Sequence, residues 1–362
     1  MKQIKIIFLI IGTIIGAGFI SGKEVFEFFS KFGYYSYLVI LPMFFCLYYF
    51  ITKLLLIGAN NKINNIEKLN LIIFKKDNKI IKIFTFLSFI ILSSTMISAI
   101  NTSFNVEWFS PKHFLNLALL LVISCIVLHY DISSLLNICG FLLPMVLCVL
   151  IIVCFANFNS PTNIILNSIV LMPYNALNYV CRNVFLSYFV IAKSSFGLNT
   201  KQCKRIGFFA SVILCLVMIF IITCELCNHK ALDYPMPLLF LASKNNILYI
   251  IYFCCIQVAI LTTLFSTLVT LKSFFHFKKN ITNIIMPILI CIVLSLIKFD
   301  TFVSILYPIV GILGFYFCYA LTFSNLSLQN PNKHIHNACN KTQNKSTWHN
   351  QIKIKHLTAV YY

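Results

Sequence analysis

Negative charge is what this sequence has least of. Nine acidic residues stand against 28 Lys and Arg in 362, and charged residues of both signs make up only 10% of the chain. Soluble domains ordinarily carry about 25% charged residues, so this composition cannot build a water-facing surface of the needed size. A soluble basic domain is also missing, which argues against a nucleic-acid partner despite the formal charge of +19. There is no Gly-x4-Gly-Lys-Ser/Thr loop, so ATP-driven transport by this chain alone is not expected. Neither a paired-His metalloprotease motif nor a Gly-x-Ser-x-Gly turn occurs, and no enzyme is expected. The 15 cysteines show no disulfide spacing. Most of them, among them Cys46, Cys125, Cys148, Cys215, Cys254, Cys255 and Cys291, fall inside apolar runs, where Cys behaves as a small hydrophobe.

What the chain has instead is apolar length. Hydrophobic residues make up 60% of it, and a helix crosses the hydrocarbon layer with about 20 such residues. Hydropathy places ten spans, at 4–30, 34–57, 80–100, 113–130, 135–156, 163–194, 205–227, 246–272, 282–298 and 301–324. Pro144 is expected to kink the fifth. The connection 58–79 reads as polar, and 228–245 as a loop with a short helix near Leu238–Ala242. The N-terminus mimics a signal peptide, but Lys23, Glu24 and many further spans follow it, so it reads as a retained first helix. Residues 325–362 form a polar, basic tail whose composition predicts disorder.

Basic residues collect on the cytoplasmic side of membrane proteins. With the N-terminus inside, 21 Lys or Arg fall on the inner side and six on the outer: Lys23, Lys31, Lys112, Lys230, Lys244 and Lys298. The expected location is a bacterial cytoplasmic membrane, multi-pass, with both termini cytoplasmic and the lipid bilayer as principal partner. Protein partners cannot be read.

Glycine is scarce, 11 residues in all, yet four of them, Gly12, Gly16, Gly18 and Gly22, fall within the first span. Each lowers helix stability by roughly 1 kcal/mol relative to Ala. Unwound backbone survives at membrane depth only where it lines a cavity or is buried in protein. The pattern therefore predicts a broken helix whose half-helix end holds an anion and whose freed carbonyls hold a cation. Close packing through Gly12-x3-Gly16 is the blander alternative. A second interruption is expected around Met172-Pro173-Tyr174-Asn175, five spans on, as an inverted repeat requires.

The string Gly-Thr-Ile-Ile-Gly-Ala-Gly-Phe-Ile-Ser-Gly-Lys-Glu-Val-Phe-Glu-Phe-Phe, Gly12 to Phe29, resembles the opening of the YkvI-like bacterial membrane proteins. That family is functionally uncharacterised and is grouped with the amino acid–polyamine–organocation superfamily of LeuT-fold transporters. The resemblance implies an all-α membrane domain over 1–324, built as an inverted repeat of five plus five spans (about 1–157 and 163–324), with helices 1 and 6 broken. It implies a central site in which the amides of Gly16, Ala17 and Gly18 receive a substrate carboxylate. Phe19, Tyr174 and Asn175 are candidates to flank it. It further implies a sodium site from the carbonyls of Gly12 and Ile15 with Ala259, Thr262 and Thr263 of the eighth span. Sodium and proton coupling both stay open, because Thr262, Thr263, Ser266, Thr267 and Thr270 can also bond back to their own helix. No other cofactor is expected.

Ionisable residues within the membrane region are functional candidates by default. Glu24 is expected to gate or carry a proton. Arg182 is placed on the opposite half of the bilayer, which argues against a direct pair with Glu24; it would meet an anionic substrate, close a gate or snorkel to the cytoplasm. Glu27 and Lys31 are spaced for a helical ion pair. Glu225 reads as interfacial and Asp131 as solvated. Cys224-x2-Cys227 with His229, and the tail's His334, His336, Cys339, His349 and His356, lack zinc spacing, so no metal is expected beyond sodium. The expected activity is secondary transport of a small amino acid, amine or related organic solute. A ligand-sensing permease-like subunit of the germinant-receptor type, without flux, is the alternative, and a channel is a third.

Overall fold

The computed structural model describes residues 2–63, 65–75, 79–104, 132–160, 168–272, 274 and 289–324. Expectations for the fourth span, Asp131, most of the ninth span and the tail lie outside these residues. The unit that holds the described helices runs Met1–Ser324.

The first span is α1 (Lys2–Ile14), α2 (Ala17–Ile20) and α3 (Lys23–Phe28). A 3-10 segment, Ser30–Val39, turns the chain into α4 (Ile40–Asn60), the second span. The connection read as polar contains a helix of its own, α5 (Ile66–Phe74). It is capped by Asn65 Oδ1, which accepts from Lys68 N at 3.1 Å, and it buries Ile66, Leu69, Asn70 and Ile73. Its apolar face is only two turns long, too short for a span-length hydropathy window.

α6 (Lys79–Ser103) and α7 (Ile132–Ala156) are the third and fifth spans, and α7 contains Pro144. α8 (Met172–Ser194) follows a 3-10 turn at Ile169–Leu171 and opens with Pro173 in its first turn, where a missing amide costs nothing. The interruption expected around Met172–Asn175 falls where the 3-10 turn passes into α8, and residues 161–167 before it lie outside the described residues. α9 (Thr200–Cys227) begins at an Asn199/Gln202 capping box. α10 (Pro237–Ala242) is the short helix expected in the loop, and α11 (Asn246–Lys272) is the eighth span. α12 (Phe299–Thr301), a π turn at Phe302–Leu306 and α13 (Tyr307–Thr322) make the tenth.

Much of the helix packing repeats on a shift of five spans, although α7 also packs on α11 without a matching α6–α13 contact of similar extent. α1 packs on α7 as α8 packs on α13; α4 packs on α8 as α9 packs on α1. The pairs α4–α9, α6–α11 and α1–α8 map onto themselves. This is the pairing an inverted repeat requires. Polar side chains stitch α6 to α11, with Ser93 Oγ donating to Thr267 Oγ1 at 3.0 Å and Gln257 Nε2 to Ser103 Oγ at 2.7 Å.

Six helices among the described residues are long and apolar enough to cross a membrane. Leu38, Leu41, Phe45, Phe141, Ile247 and Tyr319 are among many large apolar side chains left exposed. A perimeter of that kind suits hydrocarbon, not water. The chain is a multi-pass membrane protein.

Candidate functional site

The first span reaches the interior in three pieces, and every residue from Leu9 to Val25 is buried. α1 stops because Gly16 is extended, at φ −99° and ψ −169°. α2 stops at Gly22, whose φ of +85° is the left-handed conformation that glycine adopts without a Cβ penalty. The sequence predicted one break; there are two, on either side of α2.

The two breaks are finished differently. At the second, Ser21 O accepts from Leu238 N at 2.9 Å, Ile20 O from the Tyr252 hydroxyl at 2.5 Å and Gly18 O from Ser21 Oγ at 3.1 Å. At the first, Thr263 of α11 supplies the polar facing. Its Oγ1 lies 2.9 Å from Ala259 O, 3.4 Å from Ile15 O and 3.5 Å from Gly12 O. One hydroxyl has one proton, and the shortest separation places it on Ala259. The Thr263 oxygen then faces the carbonyl oxygens of Ile15 and of Gly12 without a proton to give either. Thr262 Oγ1 also donates to Ala259 O, at 3.0 Å. Of the five residues expected to form a cation site, Thr263 faces the Gly12 and Ile15 carbonyls and bonds Ala259 O, while the Thr262 hydroxyl bonds only Ala259 O. All five hydroxyls named in the alternative, Thr262, Thr263, Ser266, Thr267 and Thr270, bond back to their own helix.

Glu24 and Arg182 form an ion pair, Nη2 to Oε1, with both side chains buried. This corrects the placement of the two residues on opposite halves. The second break lets α3 fold back, so that Glu24 Oε2 lies 2.7 Å from where a Cβ on Gly18 would stand. Arg182, ten residues into α8, is at the level of the break. Snorkelling is excluded, since Arg182 is 0% exposed. Its guanidinium carbon lies 4.8, 5.3 and 4.3 Å from the ring centroids of Phe28, Tyr179 and Tyr307, and Nε and Nη1 have no hydrogen-bond partner. Asn183 Nδ2 sits 3.5 Å from Glu24 Oε1 and donates to Tyr179 O at 3.1 Å.

Glu27 pairs with Lys31 at 3.5 Å as the spacing predicted, and with Lys23 at 3.7 Å; Lys23 also meets Asp300 at 2.9 Å. Glu225, read as interfacial, is buried within the protein. Its side chain is 0% exposed, and its Oε1 and Leu238 of α10 both lie against Gly22. Ser30 Oγ donates to its Oε2 at 2.5 Å, while Oε1 has no partner. An acid within an apolar run was the available signal; its burial was not visible in the sequence.

Gly16, Ala17, Gly18 and Phe19 are buried at the break. Tyr174 stands apart in character: it is 47% exposed, stacks on Phe315 of α13 and receives a 3.4 Å contact from Asn178 Nδ2. Asn175 is half-buried beside it. A cavity of about 780 Å³, lined by Lys2, Ile4, Gln202 and Arg205 among others, opens at the start of α1 and does not include the broken segment. Among the described residues, no three His, Cys, Asp or Glu converge as metal ligands.

No family model matches the chain. It is similar to the uncharacterized membrane protein YkvI of Bacillus subtilis (strain 168), with 24% identity over 144 residues. The match takes in 40% of this chain and spans about two fifths, 41%, of that relative. In fold it is similar to the crystal structure of a point mutant of the Eremococcus coleocola manganese transporter, with a TM-score of 0.54 and 12% identity. That likeness covers 88% of this chain and 78% of the transporter. By sequence the chain resembles YkvI, and in fold it is an all-α membrane protein with the LeuT-like inverted repeat.

Proposed function

We propose that this chain is a secondary transporter of a small amino acid, amine or related organic solute, working by alternating access and coupled to a monovalent cation. One observation supports this: the buried Thr263 Oγ1, whose proton goes to Ala259 O at 2.9 Å, lies 3.4 Å from Ile15 O and 3.5 Å from Gly12 O. Oxygen ligands about 2.4 Å from a hard cation of calcium's size, at right angles, are about 3.4 Å apart. Sodium is of that size and fits the donor chemistry. The site joins α1 of one repeat to α11 of the other, so a bound cation bridges the parts that alternating access moves.

The manganese named for the crystallographic neighbour is not carried over to this chain. Glu24, the acid nearest the break, is already paired with Arg182, and a divalent ion held by neutral oxygens alone would leave its charge uncompensated. The test is the thermal stability of the purified chain in sodium against potassium, followed by solute uptake into proteoliposomes under a sodium gradient. Sodium-specific stabilisation and sodium-driven uptake, both lost in Thr263→Val, are expected. Uptake driven equally well by potassium or by a proton gradient alone rejects the sodium site.

A further inference from the structure

We propose that Arg182, with the space beside Gly18, is a carboxylate-binding site, filled by Glu24 in this closed conformation and by the carboxylate of the solute in the loaded one. The inference deepens the transporter reading and rests on it: it names the solute as a carboxylate-bearing compound and excludes plain amines.

Arg182 is underused by its partner. A guanidinium presents five N–H donors in a planar fork that matches a carboxylate through two parallel bonds. Glu24 engages one nitrogen, and Nε and Nη1 stand unpartnered in a fully buried side chain. A buried ion pair adds little stability over apolar packing of the same volume, and an intramembrane ionisable pair is kept for what it does.

The two partners differ in how firmly they are held. Arg182 sits mid-helix on the 23-residue α8, with three aromatic rings around its guanidinium, and cation–π attraction tolerates the charge when the counter-ion leaves. Glu24 sits in the first turn of the six-residue α3, hinged on left-handed Gly22. It is the partner that can move. Its Oε2 occupies the space that the missing Gly18 side chain leaves open, at the broken segment itself.

Charge selects the ligand. Exchange of one carboxylate for another keeps the buried site neutral. A dianionic phosphate would leave an excess negative charge there, and an amine without an acid group would find the guanidinium already compensated and no anion free to receive it.

The test uses the full chain in detergent, with sodium concentration fixed throughout so that the cation site does not vary. Glu24→Ala removes the tethered carboxylate and lowers Tm. Millimolar sodium formate, against sodium chloride of equal concentration, is expected to restore at least half of that loss. Wild type and Glu24→Ala/Arg182→Gln are expected not to respond. The isosteric Glu24→Gln is measured in parallel and carries the test if the alanine variant does not fold. Absence of a formate-specific shift in a folded Glu24 variant overturns the proposal, as does equal rescue when Arg182 is gone. A second arm compares amino acids with their amides by thermal shift on wild type. Stabilisation by an amide equal to that by its acid, unchanged in Arg182→Gln, also overturns it. Since sodium is constant, this proposal can fail while the sodium response stands, and the reverse.

Discussion

The two breaks of the first span lie six residues apart and make the same local demand, yet the fold meets it differently. At Ser21–Gly22 the freed carbonyls are taken up by Leu238 N and the Tyr252 hydroxyl at 2.9 and 2.5 Å, and Gly22 itself is left-handed. At Ile15–Gly16 the backbone is in an ordinary extended conformation, and one threonine hydroxyl faces two carbonyls at 3.4 and 3.5 Å. Broken backbone alone is thus not a site. The second break is a finished structural joint that aims α3; the first leaves the Gly12 and Ile15 carbonyl oxygens facing a hydroxyl whose proton goes elsewhere. Buried polar groups without partners cost about 1–3 kcal/mol each, so a fold retains them where a ligand completes them.

The sharpest challenge to this contrast targets what lies between the breaks. Arg182→Leu leaves Glu24 as a buried, uncompensated charge, and removing one member of such a pair costs about 3–5 kcal/mol. The double variant Glu24→Leu/Arg182→Leu should recover much of the loss, as read by thermal unfolding in detergent. A double variant no better than the single would show that the pair is not the coupled unit described.

Next come the two glycines themselves. Gly22→Ala forces a left-handed alanine, at about 1–2 kcal/mol, and sets its Cβ 2.5 Å from Glu225 Oε1 and 3.0 Å from Leu238 Cγ. Crowding of that kind adds about 1–3 kcal/mol. In Gly16→Ala the Cβ meets the flexible end of Met96 at 3.2 Å and Thr263 Cγ2 at 3.4 Å, at a permissive φ, so the loss should stay below about 1 kcal/mol. Its effect should fall on the sodium response instead. Equal destabilisation by the two substitutions would erase the distinction between the breaks.

Ser30→Ala strips Glu225 of its hydrogen bond beside the second break, with an expected loss of about 1–3 kcal/mol. Tyr252→Phe removes the donor to Ile20 O and should cost about 1 kcal/mol. Neither should alter the difference between sodium and potassium. Thr263→Val is the smallest in stability: without sodium it should change Tm little, because its hydroxyl already bonds its own helix. It should, however, abolish sodium stabilisation, worth about 2.7 kcal/mol at a hundredfold excess over Kd. A Thr263→Val protein that still distinguishes sodium from potassium would remove the functional meaning given to the first break.

Much of this is legible in the chain itself. Hydropathy places α6, α7 and α11 to within three residues and α4 and α9 to within six, because a membrane span needs a long apolar run and little else. The short helix over 237–242 and the glycine-rich break are equally visible, since Pro and Gly act locally. Gly12, Ile15, Ala259 and Thr263 group together through the family resemblance, without their geometry. α5 escapes a hydropathy reading because nine residues with one apolar face carry too little signal in a chain this hydrophobic.

The sequence alone decided that this protein lives in a membrane, how many times apolar runs recur and where the first of them must break. Only tertiary structure decided that Leu238 finishes a second break, that Glu24 turns back to Arg182, and that Ser30 reaches the buried Glu225. Those outcomes depend on where chain segments more than 150 residues apart come to rest. Local propensity specifies a hinge, but the partner it meets is fixed by the packing of one repeat against the other.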